Sequence, residues 1–130
     1  MGARRPRPVV LDAGAFIAFE RNDARARTLI ALAVAHGAEL HTTAGVVGQV
    51  WRDGRRQARL SRLIASGAVT VQVLDCAEAQ AAGVLCGRSR TRDIVDASVA
   101  LLARRLGAKV VTSDPDDLRR LDETIELVLC

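Results

Sequence analysis

Aromatic residues are almost missing from this 130-residue chain, which has two Phe, one Trp and no Tyr. A core packed to ordinary density must therefore be built from Ala, Val, Leu and Ile. Lysine is nearly absent as well, Lys109 standing alone against 18 Arg. Cysteine is sparse and unpatterned: Cys76, Cys86 and Cys130 form no CxxC and share no ligand spacing with His36 or His41. That argues against a disulfide framework and a zinc site, and the expectation is reduced thiols in a cytoplasmic protein. No run approaches the ~20 uncharged apolar residues that would span a bilayer, so no membrane association is expected. The apolar stretch Val9–Phe19 is broken by Asp12 and followed by no clean small-residue cleavage site, which speaks against a signal peptide. There is no phosphate-cradling GxxxxGK[ST] loop and no evident Ser–His or Cys–His nucleophile system, which sets aside P-loop nucleotide hydrolysis.

What is present is ordinary globular composition, 49% hydrophobic and 26% charged, in a length that fits one domain. Residues 1–8, MGARRPRP, read as a basic, flexible N-terminal tail, and residues 9–130 as a single domain. The net charge of +4 is compatible with nucleic acid, although an arginine skew also fits a GC-rich coding sequence. Acids concentrated towards the C-terminus are odd for a pure nucleic-acid binder and need their own account.

Apolar periodicity and turn signals alternate along the chain. Val9–Leu11, Glu39–Thr43, Val69–Leu74, Lys109–Thr112 and Ile125–Leu129 read as strands. Helices are expected over Ala24–Ala35, started at Asn22-Asp23 and stopped by Gly37, and over Ala44–Arg52 and Arg55–Ser66, separated by Gly54. Further helices are expected over Glu78–Cys86, over Asp93–Leu106 closed by Gly107, and over Pro115–Leu121, with Gly87–Arg92 a polar loop. Strands alternating with helices throughout predict an α/β fold, a mainly parallel sheet covered on both faces.

In such sheets ligands collect beyond the carboxyl ends of the strands, and aspartates fall at those ends. Asp12 follows the first strand directly, and Asp114 follows the Lys109–Thr112 strand with only Ser113 between. Asp93 and Asp96 stand three apart in the first turn of a helix and so share a face, and Asp117 lies a turn past Asp114. Capping alone would account for Asp93 and for Asp114 before Pro115. Asp12 has no capping duty unless Ala13–Ala15 begins a helix, and Asp96 interrupts an apolar stretch where Ala or Leu would serve better. Several converging carboxylates repel one another unless a cation sits among them, and oxygen-only ligands suit Mg²⁺ or Mn²⁺. Hard cations held by carboxylates in a basic protein are the usual apparatus of phosphodiester hydrolysis. Two other aspartate chemistries fit poorly. A DxD phosphatase would want an acid where Gly14 stands, and a phosphoacceptor receiver would want Lys109 to end its strand instead of opening it.

Three segments in series, Val9–Phe19 (VVLDAGAFIAF), Asp93–Leu106 (DIVDASVALLARRL) and Val110–Leu118 (VVTSDPDDL), resemble the PIN domain, most of all its VapC-type toxin branch. The resemblance implies a three-layer α/β/α sandwich, a Mg²⁺- or Mn²⁺-dependent endoribonuclease, a homodimer, and a small VapB-type antitoxin as partner. It implies Asp12, Asp96 and Asp114 as metal ligands, Asp93 as a further catalytic acid, and Asp117 as accessory. Thr112 would orient a carboxylate or a water through its hydroxyl. One position departs from the pattern: a Glu is usual where this chain has Gln49 (VVGQVWRD). Gln can offer a carbonyl oxygen but brings no charge, and Asp53 would substitute only if its helix runs that far. The alternative reading is a PIN-like module that binds RNA or an antitoxin without cutting.

Arginines supply the remaining candidates. Arg88, Arg90 and Arg92 precede the Asp93 helix, well placed to hold a phosphate beside the metal. Arg52, Arg55, Arg56, Arg59 and Arg62 crowd one region, Arg55, Arg59 and Arg62 on one expected helical face, as a solvated face, an RNA track or an antitoxin surface. The reading preferred from the sequence is partner docking, with Trp51 as a packing or interface anchor.

Overall fold

The computed structural model describes residues 6–130. Five strands, β1 (Val9–Leu11), β2 (Leu40–Thr43), β3 (Val69–Gln72), β4 (Lys109–Thr112) and β5 (Leu127–Leu129), form one sheet in the order β3-β2-β1-β4-β5. Every pairing is parallel. Seven helices alternate with them: α1 (Ala13–Glu20), α2 (Ala24–Ala35), α3 (Ala44–Val50), α4 (Ala58–Ala65), α5 (Cys76–Ser89), α6 (Ile94–Leu106) and α7 (Pro115–Leu121). Helices α5, α6 and α7 pack on one another, with α6 laid over β1, β2 and β4, while α1 packs against α2, α3 and α4. The architecture is the expected α/β sandwich with a wholly parallel sheet.

The strands are short and apolar because they are covered on both faces, as parallel sheets are. Val10, Leu11 and Val110 are fully inaccessible, and Phe16, Leu40, Leu60, Val99 and Leu118 fill the layers above and below them. Side-chain caps start five of the helices: Asp12, Asp23, Thr43, Asp75 and Asp93 each accept from a backbone N–H one turn on. Each such cap stabilises its helix by about 1 kcal/mol. Gly107 ends α6 in the left-handed region, φ 62°, where a Cβ would be strained.

The chain leaves β1 towards β2 and β3 on one side, then returns to β4 and β5 on the other. The carboxyl ends of β1 and β4 are therefore a topological switch point, where a crevice opens because the flanking connections run in opposite directions. Helix α3 touches both α1 and α6, so it lies across this end of the sheet.

Several boundaries differ from expectation. The segment after β1 is a full helix, α1, which the near-unbroken apolar sequence Ala13–Phe19 disguised. Helix α3 stops at Val50, and α4 begins only at Ala58, so Arg55 is not on the helical face of Arg59 and Arg62. Gln57 explains the gap: its side chain accepts from Arg52 N (2.8 Å) and Asp53 N (3.0 Å) and donates to Val50 O (2.7 Å). Helix α5 runs through to Ser89, so Arg88 is helical and not in a loop. Strand β3 ends at Gln72, two residues early, with Val73 and Leu74 exposed beyond it. The expected tail falls partly outside the described residues. Of its described part, Arg7 pairs with Glu126 and donates to Gly107 O at 3.2 Å.

Candidate active site

Three elements deliver acids to the switch point. Asp12 closes β1, is 6% exposed, and accepts from Ala15 N at 3.0 Å, so it is also the cap of α1. Ala13–Ala15 does begin a helix, so Asp12 has the capping duty that the sequence left conditional. Its own N–H donates to Val111 O, which ties it to β4. Asp93 caps α6 by accepting from Asp96 N at 2.9 Å, placing Asp93 and Asp96 side by side in that first turn. Asp114 holds the cap position of α7 without a side-chain capping bond, so its carboxylate is left over from helix duty. Asp117 lies one turn further along α7.

Glycine at position 14 makes this approach possible. A Cβ there would sit 1.9 Å from Ser113 Oγ and 3.1 Å from Ser113 N, so only Gly lets α1 rest on the β4–α7 connection. Thr112 is fully buried beneath it and accepts from Asp114 N at 3.0 Å. The Thr112 hydroxyl proton is then free to serve Asp12, whose charged form it favours. One threonine thus joins the two strand-end carboxylates.

The electrostatics follow from this crowding. Burial, then the charges of Asp93, Asp117 and Asp12, push the Asp96 carboxyl up to about 7. Burial raises Asp12, against the bonds from Thr112, Ala15 and Gly14. Asp117 is raised chiefly by Asp114 beside it. Helix N-termini favour anions, yet here burial, with the mutual repulsion of the acids added to it, wins. Among the described residues, no three His, Cys, Asp or Glu side chains close on a common point. The carboxylates are near enough to raise one another without converging on one spot.

The other candidates are placed as follows. Gln49 is exposed near the end of α3, one turn after Gly45, where a Cβ would come 3.1 Å from Val95 of α6. Asp53 lies beyond α3, accepting from Arg55 N, and is not on the face of Gln49. Arg88, Arg90 and Arg92 are exposed around the α5–α6 junction, with Arg90 in the left-handed region at φ 55°. Sequence reasoning missed a buried hydroxyl pair, Thr43 and Ser98, 3.2 Å apart, which fastens the start of α3 to α6. Two consecutive threonines closing β2 were the available signal, Thr42 serving Leu11 O and Thr43 serving α3.

An all-parallel sheet with acids gathered at its switch point defines an α/β protein of the PIN-like kind. The chain belongs to the PIN domain family, matched over residues 9–124, whose members are in general nucleases. No curated protein sequence matches it. Among solved structures it is similar to VapBC2 from Rickettsia felis bound to a promoter DNA fragment, at 14% identity and TM-score 0.67, covering 94% of this chain and 98% of that one. It is also similar to FitAcB from Neisseria gonorrhoeae, at 12% identity and TM-score 0.65, covering 92% and 95%. At such identities the likeness is one of fold.

Proposed function

We propose that this chain is a Mg²⁺- or Mn²⁺-dependent endoribonuclease, the toxin of a VapC-type toxin–antitoxin pair, acting as a cytoplasmic homodimer restrained by a VapB-type antitoxin. The observation that carries the catalytic half is Asp96, raised to about 7 by its burial and then by the acids around it. A crevice that penalises its own charge is one that a divalent cation would relieve. The donor set fits such an ion, since its acids are all hard carboxylate oxygens and no thiol or imidazole is among them. Asp12, Asp96 and Asp114 would hold the ion, with Asp93 and Asp117 completing the negative wall. Once bound, it would acidify a water and polarise the scissile phosphate.

The chain's own groups divide the remaining work. Thr112 favours the charged form of Asp12 against the burial that raises it, and accepts from Asp114 N, so one side chain steadies both strand-end acids. Asp93 and Asp117 both add to the rise that burial begins at Asp96, which holds that carboxyl near neutrality. Arg88, Arg90 and Arg92 would meet the phosphates flanking the cut. The toxin reading rests on the fold shared with toxin–antitoxin structures and on the three motifs described above.

The test is cleavage of a structured RNA by purified chain with Mn²⁺, wild type against Asp12→Asn. Asn retains the helix cap, so the variant isolates loss of charge from loss of fold. Cleavage that disappears with the substitution and with chelation is the expected result. An Asp12→Asn protein that cuts at the wild-type rate would overturn the proposal.

A second reading, binding without cutting, is favoured by one observation: no acid stands on α3 where Gln49 is. Gln49→Glu should tighten Mn²⁺ binding about tenfold, measured calorimetrically, because one more charge joins the wall at partly screened distance. Unchanged affinity would place position 49 outside the metal's reach.

A further inference from the structure

The net charge of the chain is not spread over it. Residues 51–66 hold five arginines and one aspartate, a net +4, which equals the charge of the whole chain, so the rest is balanced. This segment is the loop between α3 and α4 together with α4 itself. Two of the three aromatics are there or against it: Trp51 is 37% exposed, and Phe19, at the end of α1, is half-buried. The third, Phe16, is fully buried. Every accessible aromatic among the described residues therefore lies beside this cluster of arginines.

The surface is built, not loose. Gln57 makes the three loop bonds given above, and Arg52 donates to Gly48 O and Trp51 O, closing the end of α3. Helix α4 lacks a side-chain cap of its own, and Glu20 of α1 supplies the acceptor for Leu60 N at 2.7 Å. Arg55, Arg59 and Arg62 are left exposed, with no acid within ion-pair distance among the described residues. Arg59 and Arg62 border a hollow of about 340 Å³ whose apolar wall is Phe19 and Leu63. Helix α1 runs from Asp12 to this surface. Its eight residues span roughly 12 Å, a few nucleotides of a single strand.

We propose that this face anchors single-stranded RNA, with Arg55, Arg59 and Arg62 on phosphates and Phe19 or Trp51 stacked on a base. The inference rests on RNA being the substrate and adds where its flanking segment is held. It answers a physical need: the carboxylate wall repels a polyanion, so binding energy must come from elsewhere on the molecule. Guanidinium groups interleaved with aromatic faces are what unpaired nucleotides recognise, phosphates electrostatically and bases by stacking. A double helix would find nothing here for its stacked bases.

The test uses the Asp12→Asn chain, a fluorescein-labelled 12-nucleotide oligouridine, and chelator to prevent cleavage. Replacing Arg55, Arg59 and Arg62 by Ala should raise Kd at least about tenfold at 0.1 M salt and lower the slope of log Kd against log salt by about 2. Phe19→Leu keeps the packing and loses the ring, so Kd should rise severalfold with the slope unchanged. Arg27→Ala, an exposed arginine on α2, is the control for bulk charge. A triple variant that binds no worse than the control overturns the proposal. So does one that binds RNA normally while losing an acidic amphipathic peptide, which would assign the face to a protein partner. RNA bound through this face by a chain that never cleaves with Mn²⁺ would overturn the nuclease reading and leave the anchor standing.

Discussion

Asp96→Asn is expected to lower RNA cleavage at least about a thousandfold while making the metal-free protein more stable, a pairing that few substitutions in a folded core produce. The activity loss follows from the metal-holding role proposed for Asp96. The stability gain follows from linkage. An acid whose folded-state value is raised holds its proton more tightly when folded, so its contribution is complete below about 4 and is lost as pH rises through about 7. At pH 8 the ionised Asp96 therefore works against the fold. The shift converts to several kcal/mol at about 1.4 kcal/mol per unit, and half of that, about 2 kcal/mol, is a fair expectation for a part-exposed group. For a chain of this size that corresponds to a melting temperature higher by about 5 °C at pH 8, with little difference at pH 4. Thermal denaturation at the two pH values, without metal, checks it. A variant less stable than wild type at pH 8 would mean that the acids do not oppose one another as described. Mn²⁺ should raise the wild-type midpoint and leave the variant nearly unmoved.

Gly14→Ala carries the second large effect, and its sign is a contest. Alanine in a helix is worth about 1 kcal/mol over glycine. Against that, the new Cβ would lie 1.9 Å from Ser113 Oγ and 2.9 Å from Ser113 Cβ, distances that no rotamer change relieves fully. The β4–α7 connection must move, at a cost of about 3 kcal/mol for overpacking, so a net loss near 2 kcal/mol is expected. Because Asp114 rides on that connection and Asp12 on α1, their separation changes as well, and cleavage should fall at least tenfold. Ser113→Gly removes the side-chain part of the overlap and leaves the 3.1 Å approach to Ser113 N, so the double variant should recover most of both losses. Urea denaturation of the four proteins in the cycle gives the coupling directly. If Gly14→Ala is as stable as wild type, α1 does not rest on Ser113.

The strand–helix order could be read from the sequence because apolar runs, turn glycines and capping residues agree along most of it. The pairing of acids at one edge could be read too, since a parallel sheet puts every strand's carboxyl end on the same side. What escaped was mostly tertiary. The sequence Ala13–Phe19 is too uniformly apolar to show a helical period, so α1 was hidden and with it the second duty of Asp12. The loop between α3 and α4 depends on one glutamine side chain reaching back five residues to Arg52 and seven to Val50, which no local signal announces. The crowding of arginines over residues 52–62 was legible in the sequence, but not that Phe19 of α1 packs beside Arg59 and Arg62.

Asp12, Asp93 and Asp114 each stand at the first residue boundary of a helix as well as on the wall of the crevice. Fraying of α1 or α6 at its start and reorganisation of the site are therefore the same motion. A ligand that orders the carboxylates is bound to tighten the opening turns of those helices, and anything that loosens the turns loosens its hold. Such a site carries its switch in its scaffold: an intruding strand or helix that pries at those turns could silence it without ever reaching the acids.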